Sequence, residues 1–401
     1  MPGLFILPQS LAEDPQSELA KIAESGIDSL NLCMKYHASR HLSIRNQAAM
    51  IHTRDGDHFY PVNPKSYSVE NSRPYDHGGF KLNLAEFELL KKSADKLSIS
   101  LGSWSVFLHD AQFGLDHPGT FVSNLFGQSL QPNLCPINPI VQSYILGHTR
   151  ELIGLGFRHI CFESIGFSGF RHNEHHERYF VNSSPTTEFL MSICFCAACT
   201  SLFAQNGLNH TQIKKVMQDK VLQALNGQDE WLGDELTKSA LEVGLGNEFS
   251  QLLEVRVRGI SDLITEIGAM LKDANVSSRF LDGSPISNRV SDHPYEDLWQ
   301  SGFDISKLAH TFEYIEPLLY RFTTEENLRV FSNYKNLLGG EKLVGALRPA
   351  YPDLDNPHLL PDRVRRLFEI TGGEFDFYLY EIIRKSEWKI LSKLLTLSSS
   401  N

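Results

Sequence analysis

The chain has 401 residues, of which 41% are hydrophobic, and its 37 Lys and Arg stand against 48 Asp and Glu for a formal net charge of −11. That balance fits a globular protein with a sizeable core and argues against nucleic acid as a partner, because a broad footprint needs a basic face. No stretch reaches the roughly 18 apolar residues of a membrane helix, and residues 1–11 lack a basic-then-apolar leader, so a cytoplasmic protein with no membrane partner is expected.

Leu4–Leu7 reads as a buried strand stopped by Pro8. Asp14-Pro15 starts a helix with Leu19, Ile22 and Ala23 at helical spacing, and Gly26 ends it. Ser29–Tyr36 is the second strand. The irregular segment Ala38–Phe80 is too long for a passive connection and reads as a substrate-facing loop. Leu84–Lys96 is an amphipathic helix, with Leu84, Phe87, Leu90 and Ala94 on one face. Leu97–Val106 is the third strand, Asn138–Leu155 a helix and Arg158–Glu163 the fourth strand. Residues 166–276 are expected as a helical insertion, with Glu188–Gln205 helical and Thr211–Ala274 helix-rich. Strands then recur at Ser278–Asp282, His310–Ile315, Leu343–Leu347 and Phe375–Tyr380. Helices are expected at Thr324–Leu338, Leu360–Thr371 and Ser386–Leu395. Eight strand–helix units predict one (β/α)8 barrel domain over residues 1–401. The rival, a doubly wound sheet, would be supported by a Gly-rich phosphate turn after the first strand, and Leu7-Pro8-Gln9-Ser10-Leu11 has none.

In such a barrel the strand ends share one bowl. Gln9, Lys35, His37, Trp104, His109, Asp110, Glu163, Asp282, Glu313, Arg348, Tyr380 and Glu381 all fall at predicted strand ends. Carboxylates, aromatic rings and basic groups in one concavity suit a sugar, and a carboxylate pair can cleave a glycosidic bond. Glu163 follows the apolar run Ile160-Cys161-Phe162, and desolvation there would raise its pKa towards that of a general acid. A salt-bridged rim glutamate is the alternative. Asp282, Glu313 and Glu381 are candidates for the second carboxylate. Lys35, His37, Trp104, His109, Asp110, Arg348 and Tyr380 are candidate substrate contacts, with ion pairing or packing as the plainer role of each. His172, His175 and His176 crowd one loop with Glu174 and Glu177, without the His-Glu-x-x-His spacing of a zincin. They suit sugar hydroxyls, a catalytic metal, or neither.

Six cysteines are too few for a disulfide scaffold. Cys194, Cys196 and Cys199 form C-x-C-x-x-C, three quarters of a closed structural zinc site. A buried reduced cluster is the other reading.

Around these residues the chain resembles the family 42 β-galactosidases and the wider (β/α)8 glycosidases of their clan. Leu134-Cys135-Pro136-Ile137-Asn138-Pro139, the strand-end Glu163 and the C-x-C-x-x-C segment stand in that family's order. The resemblance implies Cys135 as the fourth zinc ligand and Glu163 as the acid/base. It breaks where Phe162 replaces the family's Asn. It breaks again at the seventh strand, where Leu343–Pro349 has no carboxylate for the nucleophile. The chain is also similar to glycosidase-like bacterial barrel proteins with a His-x-x-His-His-Glu pattern, a likeness that implies no activity.

The expected function is therefore glycoside hydrolysis on a small-molecule or oligosaccharide substrate, with a structural zinc. A metal-dependent barrel hydrolase or isomerase using His172, His175 and His176 is one alternative, and a non-catalytic sugar-binding barrel is another. The sequence leaves homo-oligomerisation open.

Overall fold

The computed structural model describes residues 2–43, 50–171, 183–228, 236–284, 291–354 and 356–398. Eight parallel strands form the barrel: β1 Gly3–Ile6, β2 Ser29–Tyr36, β3 Ser100–Val106, β4 His159–Glu163, β5 Ser277–Asp282, β6 Tyr314–Leu319, β7 Gly345–Leu347 and β8 Phe375–Phe377. Each pairs with the next, and β1 pairs with both β2 and β8, so the sheet closes. The fold is a (β/α)8 barrel. Strands buried on both faces read as continuous apolar runs, and all eight residues of β2 are buried.

Helices alternate with the strands: α1 Pro15–Glu24, α2 Leu84–Lys96, α3 Pro139–Gly154, then α4 Pro185–Ser192, α5 Ala197–Gln205, α6 His210–Leu225, α7 Lys238–Leu245 and α8 Asn247–Asp273. After β5 come α9 Ile305–Thr311, α10 Thr324–Leu338, α11 Leu360–Thr371 and α12 Lys385–Ser398. Their starts follow capping chemistry. Asp14, Asn83, Asn138, Ser184 and Thr323 each accept a backbone N–H of the first turn. The stretch expected as one helix, Glu188–Gln205, is two helices bent by 92°. The break falls at Ile193–Cys196, between the α4 C-cap and the α5 N-cap. Among the described residues no single helix is long and apolar enough to cross a membrane.

The inside of the barrel is layered. Phe5, Cys33, Trp104, Cys161, Leu281 and Ala346 form an apolar layer that packs apart from the main core between strands and helices. Beside it lies a polar plug. Asp376 pairs with Arg279 and accepts from Asn31 Nδ2 at 2.5 Å, while Asn31 Oδ1 meets His159 Nε2 at 2.7 Å. Burial and the Arg279 charge push His159 well below the usual imidazole range, so it stays neutral. Glycines make room for the plug. A Cβ at Gly102 would sit 2.0 Å from His159 Nε2, and the ring is held by its bond to Asn31. Gly102→Ala is therefore expected to destabilise the barrel by about 1–3 kcal/mol through overpacking. A denaturant midpoint equal to wild type would show that His159 can yield.

β6 differs from the expected strand. His310 and Thr311 close α9, and the strand runs through Pro317 to Leu319. Glu313 consequently lies before the strand, exposed at the N-terminal end of the barrel, where its N–H donates to Ser278 Oγ. β8 ends at Phe377, three residues earlier than expected.

Candidate functional site

Glu163 is the last residue of β4, paired in register with Val106. The next residue, Ser164, has φ 56°, a left-handed conformation that few non-glycine residues adopt. The Glu163 side chain is half-buried and opens on a cavity of about 380 Å3. His37, His109, Phe167, Asp282 and Phe303 also line it. Burial pushes the Glu163 carboxyl up to about 7, against a smaller opposing pull from Trp104. Trp104 Nε1 donates to Glu163 Oε2 at 2.6 Å.

Trp104 is only 1% exposed, so it is no sugar platform. Phe5, Tyr36 and Tyr378 pack edge-on around the indole at 5.2, 5.0 and 5.6 Å. Tyr36 and Tyr378 share a hydroxyl–hydroxyl bond of 2.8 Å. The cage fixes the indole N–H on the carboxylate. Trp104→Phe removes a donor that favours the ionised form, so it is expected to raise the Glu163 pKa above its wild-type value. A carboxyl-carbon NMR titration reads this, and an unchanged or lower pKa would contradict it.

The other expected residues divide by position. His37 and His109 reach the cavity, stacked at 4.8 Å, with His37 also stacked on Tyr36 at 4.1 Å. His109 Nε2 lies 3.6 Å from Asp55, whose carboxyl burial pushes up to about 6. Asp282 lines the cavity, but its oxygens are engaged. Tyr334 donates at 2.5 Å and the Ser284 N–H at 2.8 Å, and burial raises its pKa. Arg348 forks onto Asp353 through two bonds of 2.7 Å and lies over the Tyr320 ring at 4.7 Å.

Lys35, Asp110, Glu313, Tyr380 and Glu381 sit away from the cavity. A bulge between Cys33 and Lys35 turns Lys35 to the outer side of β2. There its ammonium is fully buried, 3.1 Å from Asp110, and donates to the Val106 and Phe107 carbonyls. Asp110 caps the short helix Ala111–Asp116 through the Phe113 N–H and accepts from Tyr144. Glu381 accepts from the Leu7 N–H at 3.0 Å and Ser10 Oγ at 2.6 Å, tying the end of β8 to the turn after β1. Tyr380 donates to Glu18 on α1 and packs on Trp388 of α12, because β8 has already ended. With Glu313 at the far end of the barrel, neither Glu313 nor Glu381 faces Glu163 across the cavity. His172, His175 and His176 lie outside the described residues.

Residues not singled out in the sequence also shape the site. Tyr36 and Tyr378 flank Trp104, and Tyr320 lies against Tyr378 at 5.8 Å. Alternation from Asp376 would have placed Tyr378 inward. Glu316 is a fully buried β6 carboxyl, and burial followed by the Asp376 charge push it well above the usual range.

The thiols of Cys135, Cys194, Cys196 and Cys199 lie within 4.8 Å of one another, all buried and all free. Cys135 Sγ is 3.4 Å from Cys199 and 3.6 Å from Cys196. Sulfurs around a tetrahedral zinc with bonds of about 2.3 Å stand roughly 3.8 Å apart. The donor set therefore suits a closed thiolate site. The Ser123 and Cys196 N–H groups both point at Cys194 Sγ at 3.4 Å, the polarity a thiolate would require.

No protein-family description and no curated protein matches this chain. Solved structures match its fold. The catalytic domain of β-amylase from Paenibacillus polymyxa superposes with a TM-score of 0.51 at 9% identity, covering 100% of this chain and 98% of that one. β-Galactosidases from the psychrophilic Marinomonas ef1 and from the Antarctic haloarchaeon Halorubrum lacusprofundi give 0.53 and 0.54 at 10% and 8% identity. Both cover 100% of this chain, which spans 60% and 58% of their lengths. These fold neighbours are glycoside hydrolases. The likeness is one of fold, and membership of family 42 goes beyond it.

Proposed function

We propose that the barrel cleaves a glycosidic bond in a small glycoside or oligosaccharide, with Glu163 delivering the proton to the leaving oxygen. One observation carries this reading: a carboxyl whose pKa lies near 7 opens, under a fixed indole donor, on a cavity at the strand ends. A volume of about 380 Å3 lies in the range of small-molecule sites, about 300–1,000 Å3. His37 and His109 are the proposed sugar-hydroxyl contacts. Asp282 is the proposed second carboxylate, released from Tyr334 when substrate binds. Cys135, Cys194, Cys196 and Cys199 would hold a structural zinc, which supplies no step of the reaction and fixes the segment after β4.

The engagement of both Asp282 oxygens favours a second reading, a barrel that binds sugar without turnover. One experiment separates the two. Wild type and Glu163→Gln are assayed on a panel of aryl glycosides, with thermal shift by free sugars in parallel. Hydrolysis by wild type that falls at least about 100-fold in the variant supports the first reading. Equal hydrolysis by both removes Glu163 from the mechanism. Thermal shift without hydrolysis of any glycoside supports the second.

A further inference from the structure

Arg256 stands on α8 with its side chain fully buried. Its guanidinium lies 4.2 Å from the Phe167 ring centre and 5.7 Å from that of Phe189, and Nη2 donates to the Gln300 carbonyl at 3.3 Å. Nε and Nη1 have no hydrogen-bond partner, and among the described residues no carboxylate stands within ion-pair distance. A permanent charge in an apolar interior is strongly unfavourable unless an anion compensates it. The groups that favour its charge are the thiols of Cys199, Cys194 and Cys135, acting against the burial that pushes the guanidinium down to about 10.

The packing puts them together. Gly259, three residues further along α8, lies close against the terminal methyls of two side chains from the thiol-bearing segments. A Cβ there would stand 2.5 Å from Ile137, two residues beyond Cys135, and 2.9 Å from Leu202 on α5. Gln142 Nε2 also reaches the Gly259 carbonyl at 3.5 Å. α8 thus packs against the segments that carry Cys135 and Cys199. Four thiolates around a divalent cation leave a net negative charge, and Arg256 is a buried cation with unpartnered donors on the helix packed against their segments.

We infer that Arg256 is the counter-cation of the four-thiol metal site, and that through Phe167 it joins this site to the wall of the Glu163 cavity. The inference rests on the zinc reading of the thiols. It makes Arg256 a positioning residue with two faces. Its charge holds the thiolate cluster in its metal-binding form. Its plane backs Phe167, while its bond to Gln300 steadies the segment that continues into Ser301, another cavity residue.

The test compares zinc-loaded wild type with Arg256→Met, Arg256→Gln and Arg256→Lys. Zinc release to a chromogenic chelator is followed, with the sulfur-to-metal charge-transfer band of Co2+-substituted protein as a second readout. Met keeps the volume without the charge, Gln also keeps a donor for the Gln300 carbonyl, and Lys keeps the charge. Both neutral variants are expected to release zinc at least about tenfold faster than wild type, a modest share of the attraction between nearby buried charges. Their cobalt bands are expected to shift, while Lys stays near wild type in both readouts. Wild-type release from a folded neutral variant overturns the inference, as does a Lys variant as fast as Met or Gln. If one neutral variant fails to fold, the other decides. Wild type that takes up neither Zn2+ nor Co2+ refutes the zinc reading instead, and the role of Arg256 falls with it.

Discussion

Glu163→Gln is expected to remove a pH dependence from both activity and stability, and the two effects carry opposite information. A general acid works only while protonated. With the carboxyl at about 7, wild-type kcat/KM should fall about tenfold for each further step of one pH unit above that value. The stability effect follows from linkage. The native pKa is raised from 4.5 to about 7, so the unfolded chain loses its proton first as pH rises. Native stability is therefore unaffected by this group below about pH 4, declines between about pH 4.5 and 7, and stays lowered above that. A tenfold difference in proton affinity between the native and unfolded chain corresponds to about 1.4 kcal/mol. The loss therefore approaches about 3 kcal/mol at most, because the half-buried side chain is partly screened by solvent. Gln carries no proton equilibrium and can still accept from Trp104. The variant should thus be more stable than wild type at pH 8, equal to it near pH 4, and catalytically crippled throughout. Parallel denaturation curves for the two proteins from pH 4 to 8 would show that the Glu163 carboxyl ionises normally, and would undo its assignment as an acid.

What made Glu163 legible is local. An apolar run of strand length ended in a carboxylate, and both features survive folding unchanged because β4 is buried on both sides. Lys35 shows where local reading stops. Strand alternation assigns sides only while the ladder is regular, and the bulge after Cys33 exchanges the roles of Lys35 and Tyr36. β6 failed for a different reason. Pro317 argues against a strand interior, whereas His310-Thr311-Phe312 resembles one. Asp304 instead caps a helix that consumes His310 and Thr311, which moves Glu313 to the wrong end of the barrel and brings Glu316 inside. The eighth-strand boundary, three residues too long, misplaced Tyr380 and hid Tyr378 behind it. The polar plug of Asn31, His159, Arg279 and Asp376 was invisible because each member sits on a different strand. Only closure of the sheet brings them together.

Replacing Cys199 by serine is expected to empty the thiol site of metal and to loosen the segment after β4. The four sulfurs join the turn before α3 to the junction of α4 and α5, two helices that meet at 92°. Other ties at that junction are sparse among the described residues. The α5 N-cap, Cys196, makes no side-chain capping bond, and Phe195 is held through its N–H to the Ser123 carbonyl at 2.7 Å. Neutral thiols are weak donors and acceptors, and burial pushes Cys135 well above the ordinary thiol range. Four thiols would then lie in contact with little mutual attraction, whereas four thiolates on a zinc ion contribute folding energy directly, about 10–16 kcal/mol in isolated structural sites. Wild type is expected to carry one zinc per chain by elemental analysis and Cys199→Ser essentially none, with a melting temperature lower by at least several degrees. Limited proteolysis should open first between α4 and α5. Because Cys161 is equally buried but lies inside the barrel and outside the four-thiol group, Cys161→Ser serves as the matched control and should keep its zinc. Zinc retained by Cys199→Ser, or a melting temperature equal to that of the control, would mean that the four thiols pack as a reduced apolar cluster and that the junction is held by the apolar contacts of Phe195 and Phe203.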